Sequence, residues 1–566
     1  LERFSHDRAA GLHADTAVCA FYKQLTVVRR RCGNCRGVAR ALISNKASIH
    51  RQQQTRPTGE DEVSNVEFAQ PVSESEVRLR SGIEGFDNIL NGGFPSNHLY
   101  LIEGDPGTGK TTLALQFLLE GTRLGERCLY VTLSESSREL KGVAKSHGWS
   151  LDAIPIFEMT PEQDEIAPEA QYTVFHPSDV ELASTTAAVL EQVDQVQPTR
   201  VVFDSLSELR MLARDPLRYR RQILGLKQHF AGRNCTVLLL DDRTAEGDDL
   251  QLQSIAHGVI MMQSIEREYG VKRRRLEIRK LRGSAFREGF HDYTIETGGV
   301  VVYPRLVASE HLTGVGKTSV SSGMEALDQL LGGGLDSGTS TLLMGPAGGG
   351  KSTIAAQYAV AAAERGEHAA VFTFDETLAT YIYRAAGLGL DIEKHIQSGR
   401  LRLQQMDPAE VSPGQFVYNV RRMVEQDHTT LLVIDSLNGF LNAMPGEEFL
   451  TLQLHELLSY LNQQGLNTMF TLAQHGFVGN MESPLDVSYL ADTVLLFRYF
   501  ESLGELRQAI SVLKKRSGKH ERTIRALSFS DGAISVGPPL RDFQGVMTGV
   551  PQPVGESRLP VSASQA

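Results

Sequence analysis

The sequence predicts an α/β protein built from two tandem P-loop domains, each with a mostly parallel sheet covered by helices on both faces. Three observations carry this. A phosphate-binding loop of the form G-x-x-x-x-G-K-[ST] occurs twice, as Gly104-Asp-Pro-Gly107-Thr108-Gly109-Lys110-Thr111 and as Gly345-Pro-Ala-Gly348-Gly349-Gly350-Lys351-Ser352. The surroundings repeat as well: Gly82 and Gly323, Asp87 and Asp328, and Gly104 and Gly345 are each 241 positions apart. That period is far beyond the roughly 20–50 residues of a solenoid repeat, so it marks a duplicated domain. Finally, apolar runs of strand length alternate with helical stretches, the pattern of a parallel sheet buried on both faces.

The elements follow in order. His98–Glu103 reads as a strand leading into the first loop, and 111–124 as a helix with Leu113, Phe117 and Leu118 on one face. Strands follow at Arg127–Leu133, at Thr199–Phe203 ending on Asp204, and at Cys235–Leu240 ending on Asp241-Asp242. The second half replays this at Ser340–Met344, Ala369–Phe374, Leu431–Ile434 before Asp435, and Thr468–Leu472. The expected organisation is an extension over 1–70, a first domain over 71–308, a second over 309–550, and a disordered Pro/Ser/Val-rich tail over 551–566. Residues 1–57 carry 11 Lys/Arg against 3 Asp/Glu, and no Met precedes Met159. The extension is therefore expected to be disordered or to precede the true start, with Val63 as the candidate start.

Composition narrows the class. At 566 residues the chain exceeds one ordinary domain, and 41% apolar with 22% charged residues is ordinary for a soluble globular protein. No apolar run of transmembrane length occurs, so no membrane is expected. The net charge of −11 becomes −19 once the basic first 57 residues are set aside. Such acidity argues against a nucleic-acid motor, which needs basic surface against phosphates. Five cysteines do not make a disulfide framework, and a reducing cytoplasm is the expected compartment. Cys128 and Cys235 read as buried thiols. Cys32-Gly-Asn-Cys35 has zinc-knuckle spacing but lacks a second pair; His13 and Cys19 are the further ligand types at hand.

Around each loop the residues assemble an NTP site. Glycine-rich backbone cradles phosphate, Lys110 and Lys351 reach the β- and γ-phosphates, and Thr111 and Ser352 ligate Mg²⁺, with Thr112 and Thr353 next in line. Asp204 and Asp435 each end an apolar run and are each followed by Ser, the pattern of a second Mg²⁺ carboxylate. Glu135 and Glu376 both stand 25 residues after the loop lysine, each expected to end the strand that follows the loop helix. That places a carboxylate at the ligand-binding edge, able to orient or deprotonate a water. Asp375 precedes Glu376 where Ser134 precedes Glu135, so the second site has two acids that could also serve a protein hydroxyl. Lys280-Leu-Arg282 and Lys514-Lys-Arg516 recur at matching spacings late in each domain, as γ-phosphate contacts offered to a neighbouring subunit.

Together these residues resemble the KaiC family of circadian clock proteins within the RecA-like superfamily, from about residue 75 to about 551. The resemblance implies tandem RecA-like domains in a two-tiered homohexamer, with ATP and Mg²⁺ at subunit interfaces. It also implies slow hydrolysis in the N-terminal ring and Ser/Thr autophosphorylation in the C-terminal ring. Lys280, Arg282, Lys514, Arg516 and His520 fall where the family contacts the neighbour's nucleotide, and Ser488 where it has an acceptor serine. Ser134 and Asp375 replace the first of two adjacent family glutamates, and Tyr489 replaces the acceptor threonine, so the family's two-step cycle cannot run unchanged. The C-terminal tail lacks the longer segment that binds the activator KaiA, and a KaiA-type activator is not expected. The leading reading is an ATPase and autokinase acting as a slow signalling switch. An ATP-gated scaffold for a signalling protein partner is the alternative, and a helicase-like motor ranks third.

Overall fold

The computed structural model describes residues 77–159, 177–213, 215–242, 250–267, 270–311, 316, 318–407, 409–442, 450–474, 487–502, 504–530, 532–548 and 551–554. The expectations for the N-terminal extension, Val63, the Cys32/Cys35 pair with His13 and Cys19, and most of the C-terminal tail lie outside these residues. Both P-loop domains belong to one compact unit, Ser75–Ala566.

Each domain is a nine-stranded sheet. In the first, the strands are β1 (Leu99–Gly104), β2 (Cys128–Thr132), β3 (Ile156–Glu158), β4 (Arg200–Asp204), β5 (Thr236–Asp242), β6 (Gly258–Ile265), β7 (Arg273–Leu281), β8 (His291–Glu296) and β9 (Gly299–Tyr303). Their order is β9-β8-β7-β6-β1-β5-β4-β2-β3. β2 to β6 run parallel to β1 and to one another, whereas β7, β8 and β9 continue antiparallel from β6. The second domain repeats the order with β10 (Ser340–Gly345), β11 (His368–Thr373), β12 (Leu401–Gln405), β13 (Thr429–Asp435), β14 (Asn467–Ala473), β15 (Thr493–Ser502), β16 (Glu505–Lys515), β17 (Ile524–Ser530) and β18 (Ala533–Pro539).

Alternation along the strands splits the core into two layers per sheet. Tyr100 and Ile102 face helix α1 (Lys110–Arg123), where Leu113, Phe117 and Leu118 are fully buried; Leu99 and Leu101 face the opposite layer with Ile223, Leu226 and Phe230. Helix α2 (Ser137–Ser146) opens with a capping box between Ser136 and Glu139. In the second domain, α3 (Lys351–Glu364) buries Ile354, Tyr358 and a run of alanines, and α4 (Leu378–Ala386) starts on the side-chain cap of Thr377. Cys128 and Cys235 are buried free thiols, both pushed up to about 12 by burial.

The segment after β9 packs into the second domain: Leu306 and Ala308 join its core with Leu342 and Phe470. The Ala308 N–H donates to Glu456 Oε2 at 3.1 Å. The two domains also touch where the Gly414 N–H donates to Asp292 Oδ2 at 2.8 Å and the Tyr303 and Tyr418 rings lie 5.4 Å apart. Among the described residues no helix is long and apolar enough to cross a membrane.

Candidate functional site

A parallel sheet collects ligand-binding loops at the C-terminal ends of its strands, and both phosphate loops leave from that edge, after β1 and after β10. Gly107, Gly109, Gly348 and Gly350 all adopt positive φ, between 74° and 97°. This turns successive N–H groups to one side, the geometry of an anion-binding nest. Around the first loop, the Thr108 hydroxyl donates to Asp105 O at 2.8 Å and Tyr293 donates to Thr108 O at 2.7 Å. A Cβ on Gly104 would sit 2.5 Å from Met262 O, and one on Gly345 the same distance from Phe497 O, so neither position admits a side chain. Gly349 lies between the two left-handed glycines of the second loop.

The lysines fold over their loops. Lys110 Nζ donates to Gly104 O at 2.8 Å and Asp105 O at 3.0 Å, and pairs with Asp242 at 2.7 Å. Lys351 Nζ donates to Gly345 O at 3.0 Å and Pro346 O at 2.6 Å. Burial pushes Lys351 down to about 8.

The metal-type pair forms in both sites. Thr111 Oγ1 donates to Asp204 Oδ2 at 2.8 Å, and Ser352 Oγ to Asp435 Oδ1 at 3.0 Å. Each aspartate ends its strand, as its apolar run suggested, and that strand lies two positions from the loop strand in the sheet. Sequence reasoning missed the hydroxyl that braces each one: Tyr130 donates to Asp204 at 2.5 Å, whereas Thr471 donates to Asp435 at 2.6 Å. Burial raises both carboxyls above their usual range, against the lowering effect of these hydrogen bonds. The donors are oxygen only, a hydroxyl and a carboxylate, which suits Mg²⁺ completed by phosphate oxygens and water. Among the described residues no cluster of three His, Cys, Asp or Glu side chains could hold a metal without such help. Both Asp–Ser peptide bonds, Asp204-Ser205 and Asp435-Ser436, are cis.

Glu135 and Glu376 do not end their strands. β2 stops at Thr132 and β11 at Thr373, and each glutamate lies in the turn beyond. The threonine hydroxyl fixes that turn by accepting from the glutamate N–H and donating to its carbonyl, at 3.0 and 2.6 Å for Glu135 and 3.3 and 3.1 Å for Glu376. The turn still projects from the same sheet edge as the phosphate loops. Glu135 Oε2 is buried with no hydrogen-bond partner among the described residues. Burial, then the Asp204 charge, raises its carboxyl. Glu376 instead accepts from Arg384, at 3.2 Å from Nε and 2.9 Å from Nη2. Asp375 accepts from the Ser436 hydroxyl. Arg384 escaped the sequence reading; it stands eight residues after Glu376, two turns along a capped helix.

The basic pairs lie elsewhere. Lys280 pairs with Val259 at the start of β6, and Lys514 with Val494 at the start of β15. Because β6 and β15 run parallel to β1 and β10, these starts lie at the N-terminal edge, opposite the phosphate loops. A six-residue strand such as β10 separates the two edges by roughly 20 Å. Lys280 donates to the carbonyls of Gln253 and Ala256, and Arg282 to Ser254 O at 2.7 Å. In the second domain Lys514 donates to Ser488 O at 3.0 Å and Ala491 O at 2.8 Å. Arg516 donates to Tyr489 O at 2.7 Å and to Asp492 at 3.1 Å. The structure thus brings Ser488 together with Lys514 and Arg516, and brings neither to the phosphate loop of its own chain. His520 lies in the loop between β16 and β17, whose Glu521 N–H donates to Leu330 O at 3.0 Å. Tyr489 is exposed and Ser488 half-buried.

A family model described as the KaiC ATPase matches the chain twice, over residues 79–307 and 320–541. Among curated proteins the chain is similar to circadian clock protein KaiC3 of Synechocystis sp., 25% identical over 85% of this chain and 96% of that protein. It is similar to the circadian clock oscillator protein KaiC of Thermosynechococcus vestitus, 27% identical over 85% of this chain and 93% of that protein. The oscillator protein KaiC of Synechococcus elongatus is 26% identical over 86% of this chain and 95% of its own length.

Proposed function

Because this chain belongs to the KaiC family of ATPases, we propose that it is a homohexameric ATPase and Ser/Thr autokinase that works as a slow signalling switch. The observation that carries the reading is the separation of the two halves of each site. The phosphate loop, metal-type pair and glutamate stand at one sheet edge, and the basic pair stands at the other. Within one chain, Lys280, Arg282, Lys514 and Arg516 have no nucleotide to act on. In a ring they reach the nucleotide of the adjacent subunit, where guanidinium and ammonium groups neutralise γ-phosphate charge.

Family members act on ATP, typically with Mg²⁺. Thr111 with Asp204, and Ser352 with Asp435, would hold the ion, which supplies charge neutralisation on the phosphate oxygens. Lys110 and Lys351 exchange their loop carbonyls for phosphate oxygens. In hydrolysis Glu135 orients a water and takes its proton as the water oxygen bonds to Pγ and the bond to the β–γ bridging oxygen breaks, releasing ADP. In autophosphorylation the Ser488 hydroxyl of one subunit takes the place of water at the adjacent second site. Its proton passes to the Asp375/Glu376 pair through Asp375, whose partner is the Ser436 hydroxyl rather than a guanidinium, and ADP again leaves. The phosphate on Ser488 carries about −1.5 to −2 charges. It lands beside Lys514 and Arg516, so it alters the same subunit boundary.

Two measurements test this. Native mass with Mg-ATP is expected to show six chains; a strict monomer would defeat the shared-site reading. Peptide mapping after Mg-ATP incubation is expected to find phosphate on Ser488 and none on Tyr489. Absence of phosphate at Ser488 would leave the non-kinase reading, an ATP-gated scaffold for a signalling protein. That reading is favoured by Tyr489, an exposed phenol where the family has its acceptor threonine.

A further inference from the structure

We propose that Arg384 is a positioning residue that withholds Glu376 from water activation and so makes the second site the slower ATPase of the two. This rests on the reading of Glu135 and Glu376 as the groups that handle the attacking water. The Arg384 fork reaches both carboxylate oxygens of Glu376, and its Nη1 donates to Thr353 Oγ1 at 3.2 Å, on the first turn of the loop helix. The guanidinium also lies 4.8 Å from the centre of the buried Tyr381 ring. A carboxylate, a hydroxyl and an aromatic face hold it in one place.

At the aligned positions the first domain keeps only the threonine of this clamp. The capped helices α2 and α4 align from Ser136 and Thr377 onward, which puts Val143 where Arg384 stands and Leu140 where Tyr381 stands. Thr112 matches Thr353, but the described residues offer no guanidinium to Glu135. Its Oε2 is buried and has no hydrogen-bond partner among the described residues.

The chemistry follows from these surroundings. Hydrolysis forms a bond from the water oxygen to Pγ, breaks the bond from Pγ to the β–γ bridging oxygen, and sends a water proton to a carboxylate. Among the described residues Glu135 has no paired cation and its Oε2 has no hydrogen-bond partner, so it accepts that proton directly. At Glu376 both oxygens are already acceptors in charge-assisted hydrogen bonds from the Arg384 guanidinium. Water activation must break the pair first. ATP in the second site therefore persists, which leaves the γ-phosphoryl group available to a protein hydroxyl.

The test uses the full-length chain with the first site silenced by Glu135→Gln, so that steady-state turnover reports the second site. Adding Arg384→Val, the residue of the first domain, is expected to raise kcat roughly tenfold with KM for ATP little changed. Arg384→Lys, which keeps the charge but loses the fork, is expected to fall between, and guards against a fold defect in the valine variant. Adding Glu376→Gln to the Arg384→Val chain should remove the gain. Unchanged or lower kcat in both Arg384 variants, or a raised KM with unchanged kcat, would overturn the proposal and make Arg384 a nucleotide-binding group. A gain that survives Glu376→Gln would overturn it too, together with the role proposed for Glu376; the Ser488 phosphate would still be judged by its own mapping.

Discussion

In the first domain the phosphate-loop lysine, Lys110, pairs with Asp242 at 2.7 Å. In the second, Ala473 occupies the matching sheet position beside Gly345, and Lys351 donates to loop carbonyls alone among the described residues. The neighbouring pair differs in the same sense: Glu103 and Asp241 face each other across β1 and β5, where the second domain has Met344 and Leu472. Asp241 is held by Arg210, and its carboxyl is pushed up to about 7 by burial. The glutamates reverse the contrast, since Glu376 has its cation and Glu135 has none among the described residues. Backbone geometry, loop glycines and the hydroxyl–aspartate pair are what phosphate and Mg²⁺ demand, and the duplicates keep them. The charges around the lysine and the glutamate set rate and affinity, and there the duplicates part.

The largest effect that would break this comparison comes from the lysines. Lys110→Ala and Lys351→Ala should each weaken nucleotide binding at their own site by about a hundredfold or more, since each removes a buried cation aimed at phosphate. Bound nucleotide per chain, counted after rapid desalting, should fall from two to one in either variant. Retention of two in both would mean that the loops do not hold the nucleotide.

A pH effect separates the sheets next. His291, on β8, is fully buried; its Nδ1 accepts from the Arg305 N–H at 2.9 Å and its Nε2–H donates to Arg287 O at 3.0 Å. Both bonds need the neutral ring, and burial pushes its pKa down to about 4. The unfolded chain protonates near 6.5, so this contribution is complete above about pH 6.5 and drains away as pH falls towards 4, by up to about 3 kcal/mol. The matching position in the second domain is Arg525, which pairs with Glu521. Trp149, the single tryptophan, sits in the first domain and reports its unfolding by fluorescence. Its urea midpoint should fall between pH 7 and pH 5, and His291→Gln should flatten that fall; an equal fall in the variant would assign it to carboxylates.

The Asp242 contrast gives a smaller shift. Phosphate must displace Asp242 from Lys110, whereas among the described residues Lys351 has no such competitor. Asp242→Ala should therefore tighten nucleotide binding at the first site by roughly tenfold, about the worth of one charge-assisted pair, and leave the second site alone. Calorimetric titration of Lys351→Ala with and without Asp242→Ala isolates the effect. Weaker binding in the double variant would mean that Asp242 orders Lys110 for its ligand.

Much of this was legible in the sequence, for a physical reason. Apolar runs ending in Asp and glycine-spaced loops are local patterns, so both sheets, both loops and the partners of Thr111 and Ser352 could be placed from spacing. What depends on registration between distant segments could not. Asp242 meets Lys110 only because β5 lies beside β1, and Arg384 reaches Glu376 only through two turns of α4. The hydroxyls that brace Asp204 and Asp435 come from different strands, Tyr130 on β2 and Thr471 on β14, so the internal repeat hid them. Leu306 and Ala308 fall at the end of the range expected for the first domain, 71–308, yet they pack into the second domain's core.

The most direct test of the account is turnover in the two glutamine variants, each made in the full-length chain and measured as ADP released under saturating Mg-ATP. Because Glu135 carries an oxygen with no partner among the described residues and Glu376 is tied to Arg384, Glu135→Gln should abolish most of the steady-state hydrolysis and Glu376→Gln only a small part. Equal losses, or a larger loss in Glu376→Gln, would contradict it.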